Sequence, residues 1–229
     1  MIRLLLALFA LALTTSADAQ QRTGTRIDGT PSRSRSIDTE AARLALYEFG
    51  RCMVGTDPRA MRASRALALS ASSPEYPGNL RALTVNDCGS PGRMRLSELV
   101  MRGALFEALL TLRYGDYQPT DLSAVPEMDY MAMHPGALRR DTSRILGLNL
   151  FADCVFRAAP VYARGLMTVI PGTTRETEYF AALRPHLANC VPSGTSIQFS
   201  RTVLRNALAE VIYHYAQSAA QRAEEEAAR

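Results

Sequence analysis

Lysine is missing altogether: every one of the 26 basic residues among the 229 is arginine. Without it the chain can neither form a Schiff base nor build a phosphate-binding P-loop. Closely spaced cysteines are missing too. The four present are far apart in sequence, which leaves no Cys-x-x-Cys redox site and nothing resembling a zinc pattern. Also absent are a Gly-x-Ser-x-Gly elbow, a glycine-rich phosphate loop after a strand, a His-Glu-x-x-His pair and an Asp-rich calcium loop. No catalytic residue, metal ligand or cofactor is therefore nominated. A charge excess is missing as well. The arginines are scattered among 22 carboxylates and the net charge is only +4, so no stripe points to nucleic acid.

One long apolar run exists, Leu4 to Leu13, behind Arg3 and ahead of Ala17-Asp18-Ala19. This pattern predicts a signal peptide over residues 1–19, cleaved after Ala19. As a helix the run rises about 15 Å, roughly half a bilayer core, too short for a lasting anchor. No cysteine follows it to carry a lipoprotein anchor. The expectation is an exported chain, periplasmic or secreted, without stable membrane insertion. Residues 20–37 hold Gly, Ser, Thr and Arg with almost no apolar content and are expected to be disordered. The remainder supports one medium domain or two small ones, apolar residues making up 47% of the chain.

What is present is repeated. Cys52 and Cys88 are 36 residues apart, as are Cys154 and Cys190. At an offset of 102, Phe49 falls on Phe151, Cys52 on Cys154, Pro58 on Pro160, Arg62 on Arg164 and Cys88 on Cys190. Past the second cysteine the offset becomes 103, and Ser97, Arg102, Ala104, Leu105 and Glu107 fall on Ser200, Arg205, Ala207, Leu208 and Glu210. Such ordered agreement indicates an internal duplication. The FxxC…C…RxALxE pattern resembles a group of exported bacterial proteins with no assigned activity, over nearly all of residues 40–217. The resemblance implies export and paired units, and carries no functional residue across.

Four cysteines in an exported chain suggest two disulfides, with three pairings available. The repeat favours Cys52–Cys88 and Cys154–Cys190, although pairing between units would also respect the symmetry. The predicted fold is all-α: two tandem units of about four helices, each with one disulfide, related by a pseudo-twofold. Unit 1 spans 38–115, a linker 116–137, unit 2 138–217 and a charged tail 218–229.

In unit 1, Asp38 can cap a helix reaching Gly55, and Asp57-Pro58 opens a second helix running to about Ala71. After the Ser-Ser-Pro and Pro-Gly interruptions comes a short segment from Leu80 to Cys88, then a Gly89–Gly92 turn. Ser97 caps a helix ending near Gly115. Unit 2 repeats this order from about Arg140, with Thr174 capping 175–189 and Ser200 capping the last helix. The linker, with three prolines and little periodicity, is expected to wrap the surface.

The Ser97 helix is apolar nearly all round, Leu112 helping to cover its back, and so reads as central. Glu107 projects about 60–80° from its main apolar stripe and needs a buried partner. Arg102, five residues away on the same helix, points about 140° from it. Arg62 is thus the expected partner of Glu107, and Arg164 of Glu210: one structural charge pair inside each unit. Arg102 and Arg205 repeat without an assigned partner. His134, His186 and His214 do not repeat, so no convergent histidine site is expected, and the nine methionines and nine tyrosines read as core filling.

Two functions follow as expectations. The first is a non-enzymatic exported interaction or scaffold module, meeting another envelope protein or, through its arginine-bearing N-terminal segment, an anionic envelope polymer. The alternative is an enzyme with an acidic site, Glu107 and Glu210, at the interface of the two units. A polar cleft holding both glutamates would favour the enzyme; separate buried pairs would favour the module.

Overall fold

Helix caps and amphipathic spacing dictate most of the architecture seen in the computed structural model. It describes residues 39–83, 88, 96–135, 140–191, 193–194 and 199–229. Among these the ordered elements are all helices: α1 Glu40–Val54, α2 Asp57–Ala68, α3 Tyr76–Ala82, α4 Glu98–Arg113, α5 Tyr130–Met133, α6 Arg140–Ala158, α7 Pro160–Leu166, α8 Thr174–Asn189 and α9 Arg201–Ala227. The chain is all-α. Disulfides join Cys52 to Cys88 and Cys154 to Cys190, a pairing that points to an oxidising compartment.

Helices α1, α4, α8 and α9 each start where a hydroxyl satisfies an orphan backbone N–H. Ser97 accepts from Val100 N, and Ser200 accepts from Val203 N. Thr39 accepts from Ala42 N at the head of α1, while Asp38 lies outside the described residues. The cap of α8 is Thr173 rather than Thr174, accepting from Glu176 N. One boundary differs because proline fits a first helical turn, where its missing N–H is not needed. Pro77 therefore begins α3 instead of breaking a helix, and Tyr76 and Leu80, both wholly buried, hold that helix down. α3 ends at Ala82 and α2 at Ala68, short of the expected Cys88 and Ala71. The 89–92 turn and the first 38 residues lie outside the described residues.

The core is built on α4 and α9, which lie side by side and point the same way. Near their N-terminal ends Asn206 donates to the Val100 carbonyl, and farther along the Tyr114 and Tyr213 rings meet edge to face. α1 packs on α4, and α6 packs on α9. Every residue of α4 from Val100 to Leu110 is buried, including Arg102 and Glu107. Leu112 is an exception to expectation: it is 54% exposed, because α4 leaves the core after Leu110. Two glycines set the helix spacing. A Cβ on Gly50 would sit 2.5 Å from the Ala104 carbonyl oxygen, and one on Gly103 would sit 2.1 Å from Asn206 Cβ. Only a missing side chain allows such approaches. A single apolar cluster runs from Phe49 and Leu105 to Phe151 and Leu208, so both halves share one core.

The 116–137 segment does more than wrap the surface. Leu122 and Tyr130 are buried within it. Arg157 donates to the Leu122 and Val125 carbonyls, and Arg164 donates to those of Tyr114, Gly115 and Tyr117. Backbone carbonyls without helical partners take guanidinium donors here, which pins the crossover despite its weak periodicity. At the far end, α9 continues as a helix to Ala227, its last turns exposed and rich in alanine and glutamate, both strong helix formers.

Candidate functional site

Arg102 and Glu107 leave α4 in different directions, and Arg205 and Glu210 do the same on α9. Because the two helices run parallel, each arginine reaches up and across to the other helix's glutamate. Arg102 Nε lies 2.9 Å from Glu210 Oε2, and its Nη2 lies 2.6 Å from Oε1. Reciprocally, Arg205 Nε lies 3.0 Å from Glu107 Oε2, and its Nη2 lies 2.7 Å from Oε1. Both are two-pronged guanidinium–carboxylate bonds, the strongest geometry available to the pair. Their side chains are 2% to 6% exposed.

This corrects the expected partners. Arg62 is exposed on α2, far from any role with Glu107. Arg164 is buried, but spends its donors on carbonyls rather than on Glu210. Arg102 and Glu107 make no bond to each other on α4; each finds its partner on α9 instead.

The surroundings of the two pairs differ. Around Glu210 the additional partners are neutral: Asn149 donates to its Oε1 at 3.0 Å, and Arg102 Nη1 donates to the Tyr76 hydroxyl at 3.0 Å. The Arg102 guanidinium also lies 4.8 Å from the Phe106 ring centre and 5.4 Å from that of Tyr76, within cation–π range. Burial pushes the Glu210 carboxyl up. The Arg102 cation and the hydrogen bonds more than reverse this, holding it below the usual carboxylate range.

Around Glu107 a second ion pair joins in. Arg205 Nη1 donates to Glu176 Oε1 at 3.2 Å, and Glu176 Oε2 lies 3.3 Å from Arg43 Nη2. Gly172 N donates to the same Oε2 at 2.7 Å, and Arg205 Nη2 also donates to the Val169 carbonyl at 2.7 Å. Two cations and two anions thus tie α1, α4, α9 and the start of α8 together. Sequence reasoning missed Arg43, Glu176, Tyr76 and Asn149. Two of these left signals. Arg43 falls on the buried Leu46–Gly50–Met53 stripe of α1, and Glu176 stands three residues after Thr173, the spacing of a capping box. Tyr76 and Asn149 left none.

Two of the three histidines, His134 and His214, lie close enough for the charge of one to act on the other. His134 is buried, its Nδ1 accepts from Ala71 N at 3.4 Å, and its Nε2 is enclosed without a hydrogen-bond partner. Burial and the Arg102 cation push its imidazole down. His214 packs against the Phe106 and Tyr213 rings. Burial pushes its imidazole down to about 4 against the opposing pull of Glu210, with Arg102 and His134 adding to the depression. Near neutral pH both histidines are uncharged.

Chemically, these glutamates are occupied. A void of about 10 Å³ touches Glu107 and Arg205, room for about one water. Glu210 does not line that void. Among the described residues no group of three His, Cys, Asp or Glu converges to hold a metal ion. No single described helix is long and apolar enough to cross a membrane. Only the bent pair of α6 and α7, angled at 116°, has the length and composition together. No family model, curated protein or solved structure matches this chain.

Proposed function

We propose that this chain is a non-enzymatic exported module, made of two copies of one helical unit, that presents a rigid surface to another envelope component. One observation carries the reading. Both repeated glutamates are buried in two-pronged bonds to arginines of the opposite half, and the void beside Glu107 has space for about one water. A general acid or base needs a free carboxyl within reach of a substrate proton, and these carboxyls have none to offer. Reciprocal buried pairs that join two halves set geometry instead.

Export to the periplasm or medium is supported by the N-terminal apolar run and by the two disulfides. Duplication is supported by the self-match and by the helix starts: α4 begins at Glu98 and α9 at Arg201, as the offset of the second stretch requires. The partner is another envelope protein or an anionic envelope polymer that meets the arginine-bearing surface.

Photo-crosslinking of the exported chain in its native cell tests the reading. A discrete adduct is expected, and it should persist in Arg102→Met/Glu210→Leu, which removes one charge pair as a unit and leaves no stranded ion. Thermal melting confirms that this variant is folded. The enzyme reading wins if no surface position yields an adduct and a small metabolite accumulates whenever Glu107 or Glu210 is replaced in a still-folded chain.

A further inference from the structure

Two segments far apart in the sequence are clasped at His134. Its Nδ1 accepts the Ala71 N–H at 3.4 Å, and the Ser72 hydroxyl donates to the Pro135 carbonyl. The clasp ties the end of the crossover, just after α5, to the turn between α2 and α3. A ring nitrogen that accepts carries no hydrogen, so the neutral imidazole keeps its proton on Nε2. That N–H belongs to a residue only 3% exposed and has no hydrogen-bond partner among the described residues. The ring thus holds the clasp through a single atom, and that atom must stay bare.

We propose that His134 is an acid-released latch: a proton taken up at Nδ1 turns the acceptor of the clasp into a donor, and the crossover parts from the α2–α3 turn. The inference goes beyond the module reading and does not rest on it. A backbone N–H can only donate, and both nitrogens of an imidazolium carry hydrogen. The charged ring and Ala71 would therefore meet donor to donor. Nor does the cation gain by staying, since its Nε2–H has no acceptor there and a buried charge needs one. The neighbouring charges act in the same sense. Burial and Arg102 on α4 hold the imidazole below its ordinary 6.5 against the pull of Glu210 on α9, a carboxylate already committed to Arg102. His214 on α9 is uncharged above about 4. Other ionisable groups on adjoining elements are engaged elsewhere. Tyr76 accepts from Arg102, Asp153 from the Tyr130 hydroxyl, Asp129 from Ala132 N and Glu75 from the Ser73 hydroxyl. With the imidazole depressed, the latch is complete above pH 6.5 and is lost as pH falls toward the latched value, about tenfold per pH unit for one proton. Release leaves α5 held through Tyr130, whose hydroxyl donates to Asp153 at 3.1 Å.

Nitrogen-15 NMR of the full, disulfide-intact chain, titrated from about pH 7.5 down to about pH 5, tests the proposal. At the neutral end the His134 ring should show the Nε2–H tautomer. As pH falls, protection of the Ala71 amide against solvent exchange should drop about tenfold per pH unit below about 6.5, while amides in the middle of α4 and α9 stay protected. His134→Gln keeps an acceptor but cannot titrate, and should hold the Ala71 amide protected throughout. His214→Gln should leave the transition in place, which assigns it to His134 and not to its neighbour. Should the His134 variant fail to fold, the native titration decides alone. The proposal is overturned if the neutral ring carries its proton on Nδ1, or if Ala71 stays protected while His134 titrates. It is equally overturned if a folded His134→Gln shows the same transition, if His214→Gln abolishes it, or if α4 and α9 lose protection together with Ala71.

Discussion

The two ends of the charge exchange start from one sequence pattern and finish in different company. Arg102–Glu210 is supported by a tyrosine hydroxyl and an asparagine amide, Arg205–Glu107 by a second ion pair and two backbone groups. The positions that supply these extras do not repeat: Arg43 has Ile145 as its counterpart at the offset of 102, and Asn149 has Tyr47. The cross-helix bond is common to both ends, while the remaining lone pairs and donors are answered at each end by different neighbouring elements. A buried ion pair has to be fully satisfied, but the identity of the satisfying groups is open.

The largest effect should come from stranding carboxylates. Arg102→Met leaves Glu210 buried without its cation and should cost about 3–5 kcal/mol. Arg205→Met strands Glu107 and takes one of the two cations from Glu176, and should cost more, enough to leave the chain unfolded at room temperature. Urea denaturation ranks the two, and equal losses would break the comparison by showing that the Arg43–Glu176 pair does not depend on Arg205. Next comes the close approach of the central helices. Gly103→Ala places a methyl group against Asn206 and should cost about 1–3 kcal/mol by overpacking. Adding Asn206→Gly should return part of that loss, visible as a rise in the denaturation midpoint over Gly103→Ala alone.

Acid separates the two ends more gently. The imidazole of His214 is held near 4, below its usual 6.5, so the unfolded chain binds the proton first as pH falls. Stability from this group is complete above about pH 6.5 and is lost as pH drops toward 4. Glu210, also held below its ordinary value, adds its loss only at lower pH, through its folded-state pKa. Denaturation midpoints at several pH values between 7 and 4 should therefore fall, and His214→Gln should flatten the upper part of that fall. The smallest effect belongs to Arg62→Ala, expected to stay within about 0.5 kcal/mol because the side chain is exposed. Its repeat mate Arg164 anchors three carbonyls, and Arg164→Met should cost several times more in the same urea titration. A shared cost would mean that the repeat at this position preserves a role after all.

Much of the scaffold could be read from local rules. Ser97 and Ser200 announce helix starts because a hydroxyl beside an orphan N–H acts over three residues. The disulfides follow from equal spacing, and Glu107 reads as buried from its angle to the apolar stripe. Local rules stumbled where neighbouring alternatives score alike, as with Thr173 against Thr174, or where proline serves equally as a break and a beginning, as at Pro77. What pins the 116–137 segment is not legible within it, because the donors that hold its carbonyls, Arg157 and Arg164, lie outside it.

By itself, then, the sequence determined an all-helical chain, its four matched cysteines and the need of two buried glutamates for arginine. These depend on contacts within a few residues or on the match between stretches about a hundred residues apart. Only the tertiary structure decided which arginine. The parallel packing of α4 on α9, made close by Gly103, puts each glutamate within reach of the other helix's arginine and beyond reach of its own. No window of sequence encodes that choice, since partners about a hundred residues apart are brought together only when the helices meet.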